Sequence, residues 1–173
     1  TERTSLMNDA EYLASRIGSA YDSLTSERTD LYKSSQDLAD QVTSISKQIY
    51  DLNEKIVQSP GSLDLKDQRD LLVEQLNEIV SVNTVEDNNG RYNVFLGGTA
   101  LVSSSGSAAM SVSLDSINNM QFEITSFGSS TNVNSQISGG KLQANLDARD
   151  TTIVTYMNSL NAFAINLADQ VNY

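Results

Sequence analysis

The chain of 173 residues has no cysteine and no histidine, and these two absences exclude most site chemistry before any pattern is read. Without cysteine there is no disulfide, no thiol nucleophile and no thiolate metal site. Without histidine the usual general base near neutral pH is missing, as is the commonest nitrogen ligand for zinc, copper or non-haem iron. Positive charge is scarce too: 11 Lys and Arg stand against 22 Asp and Glu, a formal net charge of −11. Such a balance repels nucleic acid and anionic lipid, which need clustered Lys and Arg. No apolar run approaches the roughly 20 residues that span a bilayer. The expectation is therefore no nucleic-acid partner, no membrane insertion and no cofactor. The start Thr1-Glu2-Arg3-Thr4 carries neither an initiator Met nor a signal-peptide pattern, so the sequence reads as a piece of a longer protein.

What is present is heptad spacing. Leu6, Ala10, Leu13, Ile17, Ala20 and Leu24 alternate four and three apart, and the alternation resumes through Leu31, Ser35, Leu38, Val42, Ile45, Ile49, Leu52 and Ile56. The halves join through Arg28, and the steps Ala20 to Leu24 and Leu24 to Arg28, both of four, form a stutter that predicts an underwound turn near Arg28. Between Thr4 and Gln58 there is no Pro and a single Gly, Gly18, so the pattern predicts one helix on the order of 80 Å long. Its stop is Ser59-Pro60-Gly61: Pro60 lacks an amide donor, Gly61 allows the turn, and Ser62 is placed to cap a second helix. That helix is expected from about Leu63 to Val80, with Leu65, Leu72, Leu76 and Ile79 on one face, forming an αα-hairpin with the first.

From Ser81 the period changes to two. The segment up to Val85, the turn Glu86-Asp87-Asn88-Asn89-Gly90 and the run Tyr92, Val94, Leu96 predict a β-hairpin with Asn89-Gly90 at positive φ. Gly97-Gly98 marks a turn before Leu101-Val102, Ser103 to Ser107 reads as a loop, and short strands fit Met110 to Leu114 and Met120 to Thr125. Gly128 to Gly140, dominated by Ser, Asn, Gly and Thr, reads as a surface loop. A last helix from Lys141 is expected to present Leu142, Leu146, Arg149, Ile153, Tyr156, Leu160, Phe163, Leu167 and Val171 on its seam.

The fold class expected is α+β: an elongated antiparallel coiled-coil rod of about three long helices with a small antiparallel β-rich insert. Residues 1–80 would form the long helix and hairpin, 81–139 the insert and its loop, and 140–173 the return helix. The second and last helices together match the first in length, so they are expected to lie end to end along it.

The candidate chemical constellations have bland readings. Asp64, Asp67 and Asp70 stand three apart, but Lys66 and Arg69 lie among them and acidic residues favour a helix start. The Glu86-Asp87-Asn88-Asn89-Gly90 segment suggests a calcium loop, yet the position that needs a bidentate Glu is Leu96. Arg28 and Arg149 fall on apolar seams, where an arginine usually packs its stem and fixes register against a carboxylate, and Asp150 adjoins Arg149. Tyr12, Tyr21, Tyr32 and Tyr50 are expected as half-buried flank residues. No P-loop, nucleophile elbow or dinucleotide fingerprint is present, so an enzyme is not expected.

Gln48-Ile49-Tyr50-Asp51-Leu52-Asn53-Glu54-Lys55-Ile56, Leu65-Lys66-Asp67-Gln68-Arg69-Asp70-Leu71-Leu72 and Leu76-Asn77-Glu78-Ile79-Val80 together resemble the flagellar hook-associated protein 1 family, the first hook-filament junction protein. Gly90-Arg91-Tyr92-Asn93-Val94-Phe95-Leu96, Gly139-Gly140-Lys141-Leu142, Arg149-Asp150 and Leu167-Ala168-Asp169-Gln170-Val171-Asn172 continue the likeness in order. Lys66, where a second Leu is usual, and Ala144-Asn145, in place of a Gly- and Leu-rich pair, depart from the pattern. The resemblance implies a non-catalytic structural adaptor, exported through the flagellar type III apparatus and located outside the cell. It would pack in a ring with copies of itself and contact hook protein and second junction protein subunits, with an export chaperone for its C-terminal region. The present segment alone is expected to be monomeric. Arg28, Asp67, Arg69, Asp70, Arg149 and Asp150 are the expected structural and interface residues. A secreted or surface coiled-coil adhesin binding through the β lobe is the alternative that the periodicity permits.

Overall fold

The apolar period of the first third closes into one helix, α1 (Glu2–Gln58), in a computed structural model that describes residues 2–171, apart from the side chains of Arg3 and Val171. Ser59 ends it by bonding back to the carbonyls of Lys55 and Ile56. The Ser62 hydroxyl accepts the Leu65 amide at 3.4 Å and starts α2 (Leu63–Ile79), as the capping pattern predicts. Seven strands follow: β1 (Asn83–Glu86), β2 (Tyr92–Leu96), β3 (Thr99–Ser103), β4 (Gly106–Ser107), β5 (Ala109–Leu114), β6 (Met120–Ser126) and β7 (Ser129–Asn132). A 3₁₀ turn at Asn134–Gln136 leads to α3 (Gly140–Asp147), a π turn (Ala148–Thr152) and α4 (Ile153–Val171). The seam position assigned to Val171 lies outside the described side chains.

All strand pairs are antiparallel, in two sheets ordered β1-β2-β3-β4 and β5-β6-β7. In β2 the alternation buries Val94 and Leu96, and in β6 it buries Met120, Phe122 and Ile124. A bulge opposite Val94 and Phe95 leaves Leu101 outside the register, which lets the neighbours Leu101 and Val102 both turn inward.

Contacts divide the chain into two units, residues 33–146 and residues 1–32 with 147–173. In the first, Leu38, Val42, Ile45, Ile49, Leu52 and Ile56 of α1 supply a buried stripe, joined by Leu76 and Ile79 of α2, the inward strand residues, and Leu142 of α3. Gly139 and Gly140 sit at φ +81° and +74°, and a Cβ on Gly140 would stand 2.5 Å from the Ile79 carbonyl oxygen. Only glycine lets the chain pass there. In the second unit α4 runs antiparallel to the first part of α1: Arg149 meets Arg28, Leu160 lies beside Ala20 and Leu24, and Leu167 and Ala168 lie beside Met7, Ala10 and Ala14.

Several expectations are corrected. Asn89 is not at positive φ; Gly90 alone is, at +79°, in a turn closed by its amide on the Asp87 carbonyl. The Ser103 to Ser107 loop contains β4, and the Gly128 to Gly140 loop contains β7 and the 3₁₀ turn. β7 is exposed at all four residues, so no alternation marks it, and its bonds to β6 alone make it a strand. Along α1 Ala20 is exposed and Tyr21 half-buried, which moves the two steps of four from Arg28 to Leu13, Ile17 and Tyr21. Tyr12 is exposed rather than half-buried. On α4, Tyr156 and Phe163 face outward while Met157 and Ala164 turn inward.

Candidate functional site

Two arginine-centred clusters, one in each unit, carry Arg69 and the group Arg28, Arg149 and Asp150 among the charged residues singled out by sequence. In α2 the apolar steps Leu65, Leu72, Leu76 and Ile79 leave one vacant seam position, and Arg69 fills it. Its side chain is buried, 1% exposed. Nη1 donates to Asn53 Oδ1 at 3.1 Å and to the Gly90 carbonyl at 2.7 Å, and the guanidinium carbon lies 3.4 Å from the centroid of the Tyr92 ring. A buried cation is costly unless it meets acceptors or a ring face, and here it meets both.

Asn53, on α1, completes the cluster. Its Oδ1 also accepts the Tyr92 amide at 3.0 Å, and its Nδ2 donates to the Tyr92 carbonyl at 2.8 Å, so one side-chain amide pairs with β2 as a neighbouring strand would. Beside it Arg91 Nε meets Glu54 Oε1 at 2.9 Å, and that carboxylate pushes the guanidinium above its ordinary range. Burial pushes the Tyr92 phenol up, and the Asp70 charge and its hydrogen bond to the phenol add to the shift, while Arg69 opposes it. Asp70 therefore acts on Tyr92 from an exposed position, and Asp67 is exposed on α2.

Asp87 is engaged within its own turn: Oδ1 accepts the amides of Asn89 at 2.8 Å and Arg91 at 3.0 Å. The Arg91 amide is the main reason its carboxyl titrates below the ordinary range. Thr43, ten residues before Asn53 on α1, makes the corresponding tie to the second sheet, accepting the Met110 amide at 2.9 Å, while its one hydroxyl hydrogen is shared between the carbonyls of Ala39 at 3.0 Å and Met110 at 3.3 Å. Asn134 does the same for β6 through the Phe122 amide and the Met120 carbonyl.

The second cluster unites Arg28, Arg149 and Asp150. Arg149, 2% exposed, donates from Nε to the Arg28 carbonyl at 3.0 Å and from Nη1 to Asp150 Oδ1. Arg28 Nη2 reaches the same carboxylate oxygen at 3.6 Å, and the Tyr32 ring centroid lies 5.8 Å from the Arg149 guanidinium carbon. One carboxylate thus serves two cations at a helix-helix contact, an arrangement that fixes position.

Among the described residues no cluster of three Asp or Glu could hold a metal, and no helix is long and apolar enough to cross a membrane. A groove of about 270 Å³ in the second unit is lined by Met7, Ala10, Ala14, Ile17, Ala164 and Leu167. Of its described lining residues only Glu11 is charged.

The comparisons with known proteins decide the family. The family described as "Flagellar hook-associated protein FlgK helical domain" matches residues 1–173. The chain belongs to the FlgK helical-domain family. A solved structure of the flagellar hook junction protein FlgK from Burkholderia pseudomallei is similar to it at a TM-score of 0.75 and 28% identity, over 85% of this chain. The chain spans 28% of the length of that FlgK structure. No curated protein matches the sequence.

Asn53, Tyr92, Thr43 and Asn134, which carry the ties between helix and strands in this FlgK-family fold, are absent from the residues that sequence singles out. Asn53 had one signal: it adjoins Leu52 on the buried face, where an amide must find partners.

Proposed function

We propose that this segment is a structural adaptor at the hook-filament junction of the bacterial flagellum, acting by packing of helical faces rather than by catalysis. The observation that carries the proposal is the FlgK helical-domain match over residues 1–173. The chemistry supports it, since both buried arginine clusters tie elements together. Large apolar residues stand outward on helices, among them Leu6, Met7, Tyr156, Phe163 and Ile165, and Leu63 and Leu71 on α2. Such side chains suit contacts with neighbouring subunits.

In this reading the helical residues 1–80 and 140–173 form a coiled-coil rod and residues 81–139 an insert. The partners are copies of the same chain in a ring, hook protein and second junction protein subunits, with an export chaperone for the C-terminal region. The site of action is extracellular, after type III export, and the isolated segment is monomeric. Arg28, Asp67, Arg69, Asp70, Arg149 and Asp150 act as structural and interface residues. The adhesin alternative finds less support: the exposed large apolar side chains of residues 81–139, Val85, Leu114, Ile117 and Phe127, are spread over β1, β5 and two turns.

Complementation tests the adaptor role. A flagellated strain lacking its own first junction protein, given the full-length chain, is expected to assemble filaments on its hooks, and the full-length chain with Arg69→Ala and Arg149→Ala together is expected to lose most of that rescue. Failure of the unaltered chain to restore filaments, with hooks present and the chain secreted, contradicts the adaptor reading.

A further inference from the structure

The turns of the β1-β2 and β5-β6 hairpins are built alike. In the first, the Asp87 amide donates to the Arg91 carbonyl at 2.9 Å, the Gly90 amide donates to the Asp87 carbonyl at 3.0 Å, and Asp87 Oδ1 accepts the amides of Asn89 and Arg91. In the second, the Asp115 amide donates to the Asn119 carbonyl at 2.9 Å, the Asn118 amide donates to the Asp115 carbonyl at 3.0 Å, and Asp115 Oδ1 accepts the amides of Ile117 and Asn119. Gly90 and Asn118 hold the matching left-handed position, at φ +79° and +64°. Asn89 therefore corresponds to Ile117. Both side chains are exposed, and an apolar residue at the second site shows that the turn does not depend on a polar side chain there.

What sets the first turn apart is the order Asn89-Gly90, since no other asparagine of the sequence precedes a glycine. Glycine has no Cβ to shield its amide nitrogen, so that nitrogen can reach the side-chain carbonyl carbon of the residue before it. Once a base from solvent takes the Gly90 amide proton, the nitrogen bonds to Asn89 Cγ, and the side-chain nitrogen leaves with a proton as ammonia. The product is a five-membered succinimide ring. Water then opens the ring at one of its two carbonyls. Attack at the former side-chain carbonyl gives an ordinary aspartate at position 89. Attack at the main-chain carbonyl gives isoaspartate, whose backbone runs through the former side chain and is one methylene longer. The net reaction consumes one water and releases one ammonia, with no change of oxidation state.

The added methylene would fall beside a buried contact. The Gly90 carbonyl accepts Arg69 Nη1 at 2.7 Å, and Asn53 Oδ1, the other acceptor of that nitrogen, also holds the Tyr92 amide. We propose that Asn89 is a deamidation site, and that its isoaspartate product draws the Gly90 carbonyl off Arg69 and loosens the contact of α1 and α2 with β2. The turn sets the pace of the reaction. The Gly90 amide must leave the Asp87 carbonyl before its nitrogen can attack, so the folded chain reacts about fivefold more slowly than the unfolded one.

The test holds the full-length chain at mildly alkaline pH, digests samples at intervals and reads each asparagine by mass spectrometry, with a protein isoaspartate methyltransferase labelling the isoaspartate form. In the folded chain Asn89 is expected to convert about tenfold faster than Asn88 and Asn118, whose following residues carry a Cβ. In urea it is expected to convert about fivefold faster again. Hydrogen exchange then reads the consequence, in the peptide that holds both position 89 and the Tyr92 amide, where the isoaspartate and aspartate forms separate by chromatography. Exchange at Tyr92 is expected to be about tenfold faster in the isoaspartate form than in the unreacted chain. The variant Asn89→Asp, which adds the same charge without the methylene, is expected to keep its protection. Conversion of Asn89 in the folded chain no faster than that of Asn118 overturns the site, and equal protection at Tyr92 in the isoaspartate form and in Asn89→Asp overturns the loosening.

Discussion

Arg69 holds its guanidinium carbon 3.4 Å from the centre of the Tyr92 ring, so a helix residue and a strand residue share one buried contact. Among the described residues Arg69 makes no ion pair within 4.0 Å, and its charge is met by the ring, by Asn53 Oδ1 and by the Gly90 carbonyl. Through it α1, α2 and the β1-β2 turn are tied at one point. Replacing Arg69 with Ala removes a buried side chain and takes one donor from each of two acceptors, and is expected to cost about 3 kcal/mol. Lys, which lacks the planar fork, should recover less than half of that. Urea unfolding midpoints of the three proteins check both statements.

The ties from α1 to the two sheets are separable. Thr43→Val keeps the shape and removes both bonds to Met110, so the Met110 amide should lose its protection from hydrogen exchange while the Tyr92 amide keeps it. Asn53→Ala should do the reverse and cost about 2 kcal/mol or more, since three hydrogen bonds depend on that amide. Equal loss at both amides in either variant contradicts independent ties.

Gly140 and Gly128 have nearly the same positive φ, +74° and +80°, but different surroundings. Ala at 128 meets open space and should cost about 1 kcal/mol for its backbone alone. Ala at 140 must also displace the Ile79 carbonyl at 2.5 Å, so it should cost at least twice as much by thermal or urea unfolding.

The Tyr92 phenol titrates above its ordinary 10.0, first through burial and then through Asp70. A group that holds its proton more tightly when folded stabilises the fold fully below its unfolded pKa, and loses that contribution as pH rises through the folded one. Stability should therefore fall above pH 10.0 through this residue, and Tyr92→Phe should flatten that part of the alkaline profile. An unchanged slope excludes Tyr92 as its source.

The features legible in sequence are the local ones. The run from Leu31 to Ile56, the Ser62 cap and the face Leu65, Leu72, Leu76, Ile79 follow from spacing and turn chemistry over a few residues. β7 escaped because Ser129–Asn132 has no buried face to produce an alternation. Tyr156 and Phe163 were misplaced because the buried positions run Arg149, Ile153, Met157, two successive steps of four where strict alternation expects four and then three. Within the clusters, Arg149, Asp150 and Arg28 were legible as charges on or beside an apolar seam. Asn53 and Tyr92 were not, because a side-chain amide that pairs with a strand leaves no periodic trace.

The central claim is that this chain works as a packed structural piece at the flagellar junction. Cryo-electron microscopy of isolated hooks mixed with the purified full-length chain tests it most directly. The account predicts a ring of added density at the distal hook end, with the α1-α2 hairpin repeated once per subunit. Bare hook ends, with a chain whose circular dichroism shows it folded, would contradict it.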